Sequence, residues 1–268
     1  MSKVSIKLQG GICNYLFQIA AAYSYAKKTN KEFWLSKDDS VVVHKHIDYY
    51  KDNILSKIEF KAPCNYSKFK IFQEPGFYYS EIPEIEGDVY LLNYFQSEKY
   101  FKEYEDDIRK LFEFPRHIFD YVVNDVALNI YKINMSIDET CSIHVRRGDF
   151  LKFPENHPQQ GMQYYMKAMK KIGMDKKFLV FSDDIQWCKE NFPELDNLYF
   201  IEGLKDYEDL CLMSLCSHNI ICNSTFSWWS AYLNKNASKQ IIAPKQWFGN
   251  AYSNLVTKDL YCDGWILI

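Results

Sequence analysis

The sequence predicts an α/β protein of two domains, each built on a parallel sheet, and three observations carry that prediction. The chain has 268 residues, more than the roughly 100 to 200 of one ordinary domain and room for only two compact ones. Its second half alternates strand-like runs at 141–146, 178–182, 198–201, 219–222 and 240–243 with helix-favouring segments at 162–172, 184–191, 206–216 and 226–234, and repeated alternation of this kind implies parallel strands with crossover helices. Its first half opens on the same unit. Val4, Ile6 and Leu8 have strand period, Gly10 and Gly11 make a turn, and Asn14 to Lys28 forms a helix with Leu16, Phe17, Ile19, Ala20 and Tyr23 on its apolar side.

Further strands are expected at 32–35, 54–60, 69–73 and 88–95, with helices at 98–113 and 116–131, the latter entered through Pro115. Polar Asn134 to Glu139 is the best linker, because Cys141 to Val145 restarts a strand pattern. The expected domains are therefore 1–137 and 138–268.

Composition narrows the function classes. With 47% hydrophobic and 25% charged residues the chain has ample material for two cores and none of the bias of a disordered segment. A formal charge of −3, with lysines scattered along the chain, gives no global field to recruit nucleic acid, so any anion site must be local. The only arginines are Arg109, Arg116, Arg146 and Arg147, and the adjacent pair holds half of the chain's bidentate phosphate-gripping side chains. Eight cysteines without a CxxC spacing read as reduced, buried thiols. Met1 to Leu8 alternates instead of forming a signal-peptide core, and no run approaches the roughly 18 apolar residues of a membrane span. A cytoplasmic protein without a transmembrane segment is expected, its four sequons at Asn65, Asn134, Asn223 and Asn236 unmodified.

Three constellations carry chemistry. In Ser142-Ile-His-Val-Arg-Arg-Gly-Asp149 the strand alternation sends His144 and Arg146 to one side and Arg147 to the other, and Gly148 breaks the strand. A bound diphosphate would satisfy the arginine forks; the alternative is an internal ion pair such as Arg147 with Asp149. The Arg147-Gly148-Asp149 adhesion motif is set aside because no secretion signal accompanies it. In Cys222-Asn-Ser-Thr-Phe-Ser-Trp-Trp-Ser230 a strand runs into a hydroxyl-rich helix start, at once a cap and a phosphate site, with Trp228 and Trp229 expected in the core. The turn Gly10-Gly-Ile-Cys-Asn-Tyr-Leu-Phe-Gln18 permits close approach to the backbone, but it has neither GxGxxG nor P-loop spacing. No Asp-x-Asp occurs, so arginine and a helix N-terminus must stand in for a metal at a sugar nucleotide. His44-Lys-His46-Ile-Asp48 lacks a third nearby ligand and reads as a surface loop.

In order, His144-x-Arg146-Arg147-Gly-Asp149, Phe181-Ser-Asp-Asp184 and Asn223-Ser-Thr-Phe-Ser-Trp-Trp229 resemble the alpha-1,2-fucosyltransferases of glycosyltransferase family 11. Gly10 to Gln18, Tyr94 to Phe101 and Ile242 to Phe248 extend the resemblance over nearly the whole chain. It implies a GT-B-like fold, two Rossmann-type domains facing a central cleft, with GDP-fucose as donor, inversion at the anomeric carbon, and a glycan acceptor ending in a β-galactoside. A lipid-linked acceptor would make the protein peripheral at the membrane. No metal or other cofactor is required, no nucleic acid is a partner, and the oligomeric state is open. Where the family generally has Gly-Asn-Gln in the opening turn, this chain has Cys13-Asn14-Tyr15, a departure that touches the acceptor side.

Carried onto these positions, the donor-binding set is Arg146, Arg147, His144, Asp183, Asp209, Ser224, Thr225, Phe226 and Ser227, with Gly11 and Asn14 of the opening turn. Asp209 is included because a carboxylate accepts two guanine N–H bonds. The catalytic candidates are Asp149, Arg146 and His144, with Asp149 as the general base for the acceptor hydroxyl; its alternative role is to orient an arginine. Gly11, Asn14, Gln18, Tyr94 and Gln96 are candidates for the acceptor side. The competing functions are a transferase using another GDP-sugar or linkage and a nucleotide-binding module that transfers nothing. A dehydrogenase is disfavoured by the absent GxGxxG.

Overall fold

The computed structural model of the chain describes residues 1–40 and 45–268. It contains two compact units, the first comprising 1–115 and 255–262 and the second 116–254 and 263–268. The sequence places the boundary at 137, but the structure groups 116–130 with the second unit and returns 255–262 to the first. The reason is burial. Helix α3 (Arg116–Asp120) runs on into a π-helical coil over Tyr121–Ile130, which buries Val122, Val126 and Ala127, while the Tyr131 hydroxyl donates to the carbonyl of Phe200 at 3.0 Å. A polar stretch marks a loop, whereas the apolar face of the preceding helix decides which core that helix joins.

In the first unit, β1 (Lys3–Ile6), α1 (Ile12–Lys28), β2 (Glu32–Phe33), β3 (Lys70–Gln73), β4 (Val89–Leu92) and α2 (Glu105–Leu111) build a sheet of order β2-β1-β4-β3, parallel throughout. Gly10 connects β1 to α1 at φ +88, and a Cβ there would lie 2.2 Å from the Asn14 amide nitrogen, so both the backbone conformation and the packing require glycine. Residues 54–60 form turns and no strand. Their buried residues Ile54, Leu55 and Ile58 have the spacing of a helical turn, not of alternation. The helix expected over 98–113 is α2 alone, preceded by two single 3₁₀ turns.

The second unit contains β5 (Thr140–Val145), α4 (Met162–Ile172), β6 (Lys177–Ser182), α5 (Ile185–Asn191), β7 (Leu198–Phe200), α6 (Asp206–Leu215), β8 (His218–Ile220), α7 (Thr225–Leu233), β9 (Ile241–Ala243) and β10 (Ile266–Leu267). All strands are parallel, in the order β10-β9-β8-β5-β6-β7. Counted from β5, this is the strand order of a doubly wound dinucleotide-binding sheet, and the direction of winding reverses between β5 and β8. Every residue of β5 is buried because helices cover both sheet faces. Cys141, Ile143, Val145, Phe178, Val180 and Ile220 form the centre of the core. The edge strand β10, two residues long, is too short for a periodicity signal. Among the described residues no helix is long and apolar enough to cross a membrane.

Candidate functional site

In open α/β sheets the ligand crevice lies beyond the carboxyl ends of the strands where the winding reverses. Here that point is bounded by the segment after β5, which carries Arg146, Arg147 and Asp149, and the segment after β8, which carries Cys222 to Ser227. The two motifs, 70 and more positions apart in sequence, meet because β5 and β8 are hydrogen-bonded neighbours, Ile143 opposite Ile220.

The arginines are engaged by three carboxylates. Arg146 donates from Nε (3.1 Å) and Nη2 (2.7 Å) to Asp149, and its Nη1 lies 3.2 Å from Asp183. Arg147 donates from Nε to Asp184 at 2.9 Å and from its backbone N–H to Asp183 at 2.8 Å. Its guanidinium carbon sits 4.0 Å above the ring of Trp187, a cation–π contact. The Arg147 guanidinium beside Asp184 holds that carboxyl below its usual range. The internal pair is thus Arg146 with Asp149, not Arg147 with Asp149. Gly148 is held against Asp183: a Cβ at this position would lie 2.4 Å from Oδ2. Arg147 is the more enclosed of the two, its side chain 17% exposed against 30% for Arg146 and 47% for Asp149.

His144 is almost wholly buried, 4% exposed. Its Nδ1 is 3.2 Å from the Cys222 sulfur, and its ring tilts against Phe226 with centroids 5.3 Å apart. Burial, and secondarily the charge of Arg146, push its pKa down to about 3, so the imidazole is neutral at any physiological pH.

Helix α7 begins at Ser224, whose side chain accepts from the Phe226 N–H at 3.3 Å. The first-turn N–H groups of Thr225 and Ser227 have no intrahelical acceptor, and Thr225 is the half-buried one of the two, where an anion can approach. Ser227 is fully buried and its hydroxyl donates to the carbonyls of Ser224 (3.2 Å) and Cys222 (3.4 Å), so it braces the turn, contrary to its expected place among the donor-binding residues. Asn223 holds the neighbouring loops: its amide donates to the carbonyls of Pro158 (3.1 Å) and Trp247 (3.0 Å). Trp228 and Trp229 are core residues. Asp209, in the first turn of α6, is half-buried; burial, with Asp206 and Glu208 nearby, raises its pKa to about 7. Its carboxylate accepts no hydrogen bond from the described residues.

In the first unit the candidates form a network beyond β1 and β4. Gln96 donates to the Asn14 side chain at 2.8 Å, beside the Gly10-Gly11 turn. Gln18 is fully buried, accepting from the Gln9 N–H (3.0 Å) and donating to the Asn93 carbonyl (3.2 Å); it supports the loop and has no surface for a ligand, contrary to its expected place on the acceptor side. Tyr94 is exposed between Asn93 at φ +100 and Phe95 at φ +52, two left-handed non-glycine residues that need restraint from their surroundings. Glu74 supplies it. Its buried carboxylate accepts from the Phe95 N–H and the Tyr100 hydroxyl, both at 2.9 Å, and its carbonyl accepts from the Asn93 amide at 2.7 Å. Desolvation raises the Glu74 pKa to about 7. Cys13 and Tyr15 are 3% and 1% exposed: these departures from the family pattern sit in the core.

His46 caps a short turn, accepting the Asp48 N–H at 3.2 Å, and Asp48 pairs with Lys37; His44 lies outside the described residues. Among the described residues no three His, Cys, Asp or Glu side chains are grouped to hold a metal ion.

Sequence reasoning gave no site role to Glu74 or Trp187, and it quoted Cys222 and Asn223 within their motif without assigning either a place in the site. Glu74 is one of many glutamates in a polar loop, and Cys222 reads as the last apolar residue of a strand; their partners lie 20 to 80 positions away, where spacing carries no signal. Asn223 opens a recognised motif and Trp187 lies just beyond another, the only local hint.

The comparisons with known proteins bear on the family and the fold. The model of the family described as glycosyl transferase family 11 matches residues 64–268. An O-antigen biosynthesis glycosyltransferase, WbnK, of Escherichia coli is 30% identical, the alignment covering 97% of this chain and 98% of that protein. An alpha-1,2-colitosyltransferase of Escherichia coli is 29% identical over 92% of this chain and 93% of that protein. The crystal structure of the alpha-1,6-fucosyltransferase NodZ soaked with GDP-fucose superimposes with a TM-score of 0.55 at 13% identity, covering 87% of this chain and 92% of that one, a likeness of fold that agrees with two parallel α/β units of the GT-B class. With a family model covering most of its length and a relative aligned nearly end to end, the chain belongs to glycosyl transferase family 11 and is a glycosyltransferase.

Proposed function

We propose that the protein is an inverting, metal-independent transferase that moves L-fucose from GDP-fucose to O2 of a terminal galactoside in a glycan. The observation that carries this reading is the pairing, at the reversal point of the second sheet, of two arginines with an open helix N-terminus. Bond breaking leaves the fucosyl carbon oxocarbenium-like and puts negative charge on the β-phosphate, so donors fixed there bind the transition state more tightly than the substrate. Two guanidiniums and the first-turn N–H groups of α7 supply the positive potential that a divalent cation supplies elsewhere.

The diphosphate competes for the Arg146 fork now held by Asp149. Its arrival frees the half-exposed Asp149 carboxylate to take the acceptor's proton as general base, so the ion pair holds the base idle until the donor is seated. Asp209, a carboxylate short of donors, suits the N1–H and N2–H edge of guanine. On the acceptor side, Asn14, Tyr94 and Gln96 are the exposed or half-buried members of their network, with Gly11 beside them. Cytoplasmic residence belongs to the same reading and is supported by eight free cysteines.

A second donor has specific support. The colitosyltransferase relative makes a colitosyl donor the alternative; colitose lacks the 3-hydroxyl of fucose, so the choice rests on one hydroxyl contact.

Thermal stabilisation by GDP, UDP, CMP and NAD in EDTA tests the donor class. A selective, chelator-insensitive shift with GDP is expected, and a shift with UDP or NAD alone, or one abolished by EDTA, overturns the reading. Parallel transfer assays with fucosyl and colitosyl donors decide between the two sugars, and near-normal turnover of Asp149→Asn would eliminate Asp149 as base.

A further inference from the structure

The imidazole of His144 has two edges in different circumstances. Nδ1 meets the Cys222 sulfur at 3.2 Å. Nε2 has no hydrogen-bond partner among the described residues, although the residue is 4% exposed. That edge is therefore left to solvent or to a ligand that enters the crevice. Whether it is a donor or an acceptor depends on the tautomer, and the tautomer depends on what Cys222 does.

The surroundings of the sulfur answer that. It already accepts the backbone N–H of Arg146 and lies 3.8 Å from the Ser227 hydroxyl. Burial pushes the Cys222 thiol up to about 12, so it keeps its proton. The Ser227 oxygen, whose proton goes to backbone carbonyls, is the more distant acceptor at 3.8 Å, and the S–H points at the nearer one, the Nδ1 lone pair of a neutral imidazole at 3.2 Å.

We propose that Cys222 is a positioning residue: its thiol donates to Nδ1 of His144, locks the ring in the Nε2–H tautomer, and so presents Nε2–H as a fixed donor to a phosphate oxygen in the crevice between β5 and β8. The proposal rests on the donor-site reading above and adds a residue to it. The same sulfur bonds the Arg146 N–H, so one side chain at the end of β8 registers both the imidazole and the start of the arginine pair against the phosphate. The alternative tautomer would turn a lone pair toward the anion and repel it.

The test begins with the wild-type protein carrying ¹⁵N-histidine, observed by long-range ¹H–¹⁵N correlation with and without GDP, with His144→Phe used to assign the ring. The expected result is a protonated Nε2 and an unprotonated Nδ1 for His144, unchanged across neutral pH, with Nε2 moving when GDP binds. Cys222→Ala should release the ring to mixed tautomers and lower kcat about fivefold, the bias one net hydrogen bond provides, with a smaller change in KM. Cys222→Ser, which restores a proton donor, should recover the tautomer and most of kcat, which a merely space-filling cysteine would not require. A wild-type ring protonated at Nδ1 overturns the proposal, as does a Cys222→Ala protein that keeps the pure Nε2–H form. If the tautomer is as expected but GDP moves neither the His144 nitrogens nor the melting temperature, the tautomer lock stands and it is the donor-site reading, with the phosphate as recipient, that fails.

Discussion

Replacing Glu74 with glutamine should remove most of the pH dependence of stability that this one side chain contributes. The carboxyl is buried beneath the 93–96 loop, and desolvation raises its pKa from 4.5 to about 7. Because the folded-state value lies above the unfolded one, the native state holds a proton that the unfolded chain has already released. The contribution is complete below about pH 4.5 and is lost as the pH rises through about 7. At about 1.4 kcal/mol per pH unit, that interval corresponds to about 3 kcal/mol. Glutamine keeps the shape and is always neutral. Its carbonyl can accept the Phe95 N–H, and its amide can donate to the Tyr100 oxygen, whose own proton turns to the carbonyl of Tyr78 at 3.4 Å. The assay is urea unfolding of both proteins at about pH 5 and pH 8, fitted for free energy with a common slope. The glutamine variant should gain about 2.5 kcal/mol on the wild type between the two conditions. Parallel pH dependence in the two proteins would refute the argument, since it would mean that Glu74 is ionised at ordinary cost in its buried site.

Three further perturbations address the site. Gly148→Ala should push the Asp183 carboxylate from its place 2.4 Å from the new Cβ, releasing the Arg147 N–H and Arg146 Nη1; transfer should fall about 100-fold with the melting temperature little changed, and an unaffected kcat would mean that the Asp183 brace is dispensable. GDP affinity should rise as pH passes upward through about 7, because Asp209 must lose its proton to accept the guanine edge. In Asp209→Asn that dependence should vanish in calorimetric titrations, and a flat wild-type profile would exclude the base-recognition role. Arg147→Lys should lower the melting temperature by about 3 °C, roughly 1 kcal/mol, by exchanging the fork on Asp184 and the stack on Trp187 for a point charge; an unchanged melting temperature would show that the pair contributes nothing net.

The sequence alone determined the class of the fold and marked the segments from which an anion site is proposed, because both are written locally. Alternating apolar periods declare strands and helices, as 162–172 does for α4. A pair of arginines at a strand end and a hydroxyl run before α7 are chemically conspicuous wherever they occur. Tertiary structure decided what those groups touch. That Arg146 and not Arg147 holds Asp149, that Gln18 and Ser227 turn inward, and that Cys13 and Tyr15 belong to the core follow from packing between distant segments. The same holds for the division of the chain: 116–130 joins the second unit because of the apolar face it buries, and 255–262 returns to the first. Strand order did the most. Only when β8 is laid beside β5 do His144 and Cys222, 78 positions apart, share one hydrogen bond, and no periodicity in either segment encodes which strand will be its neighbour.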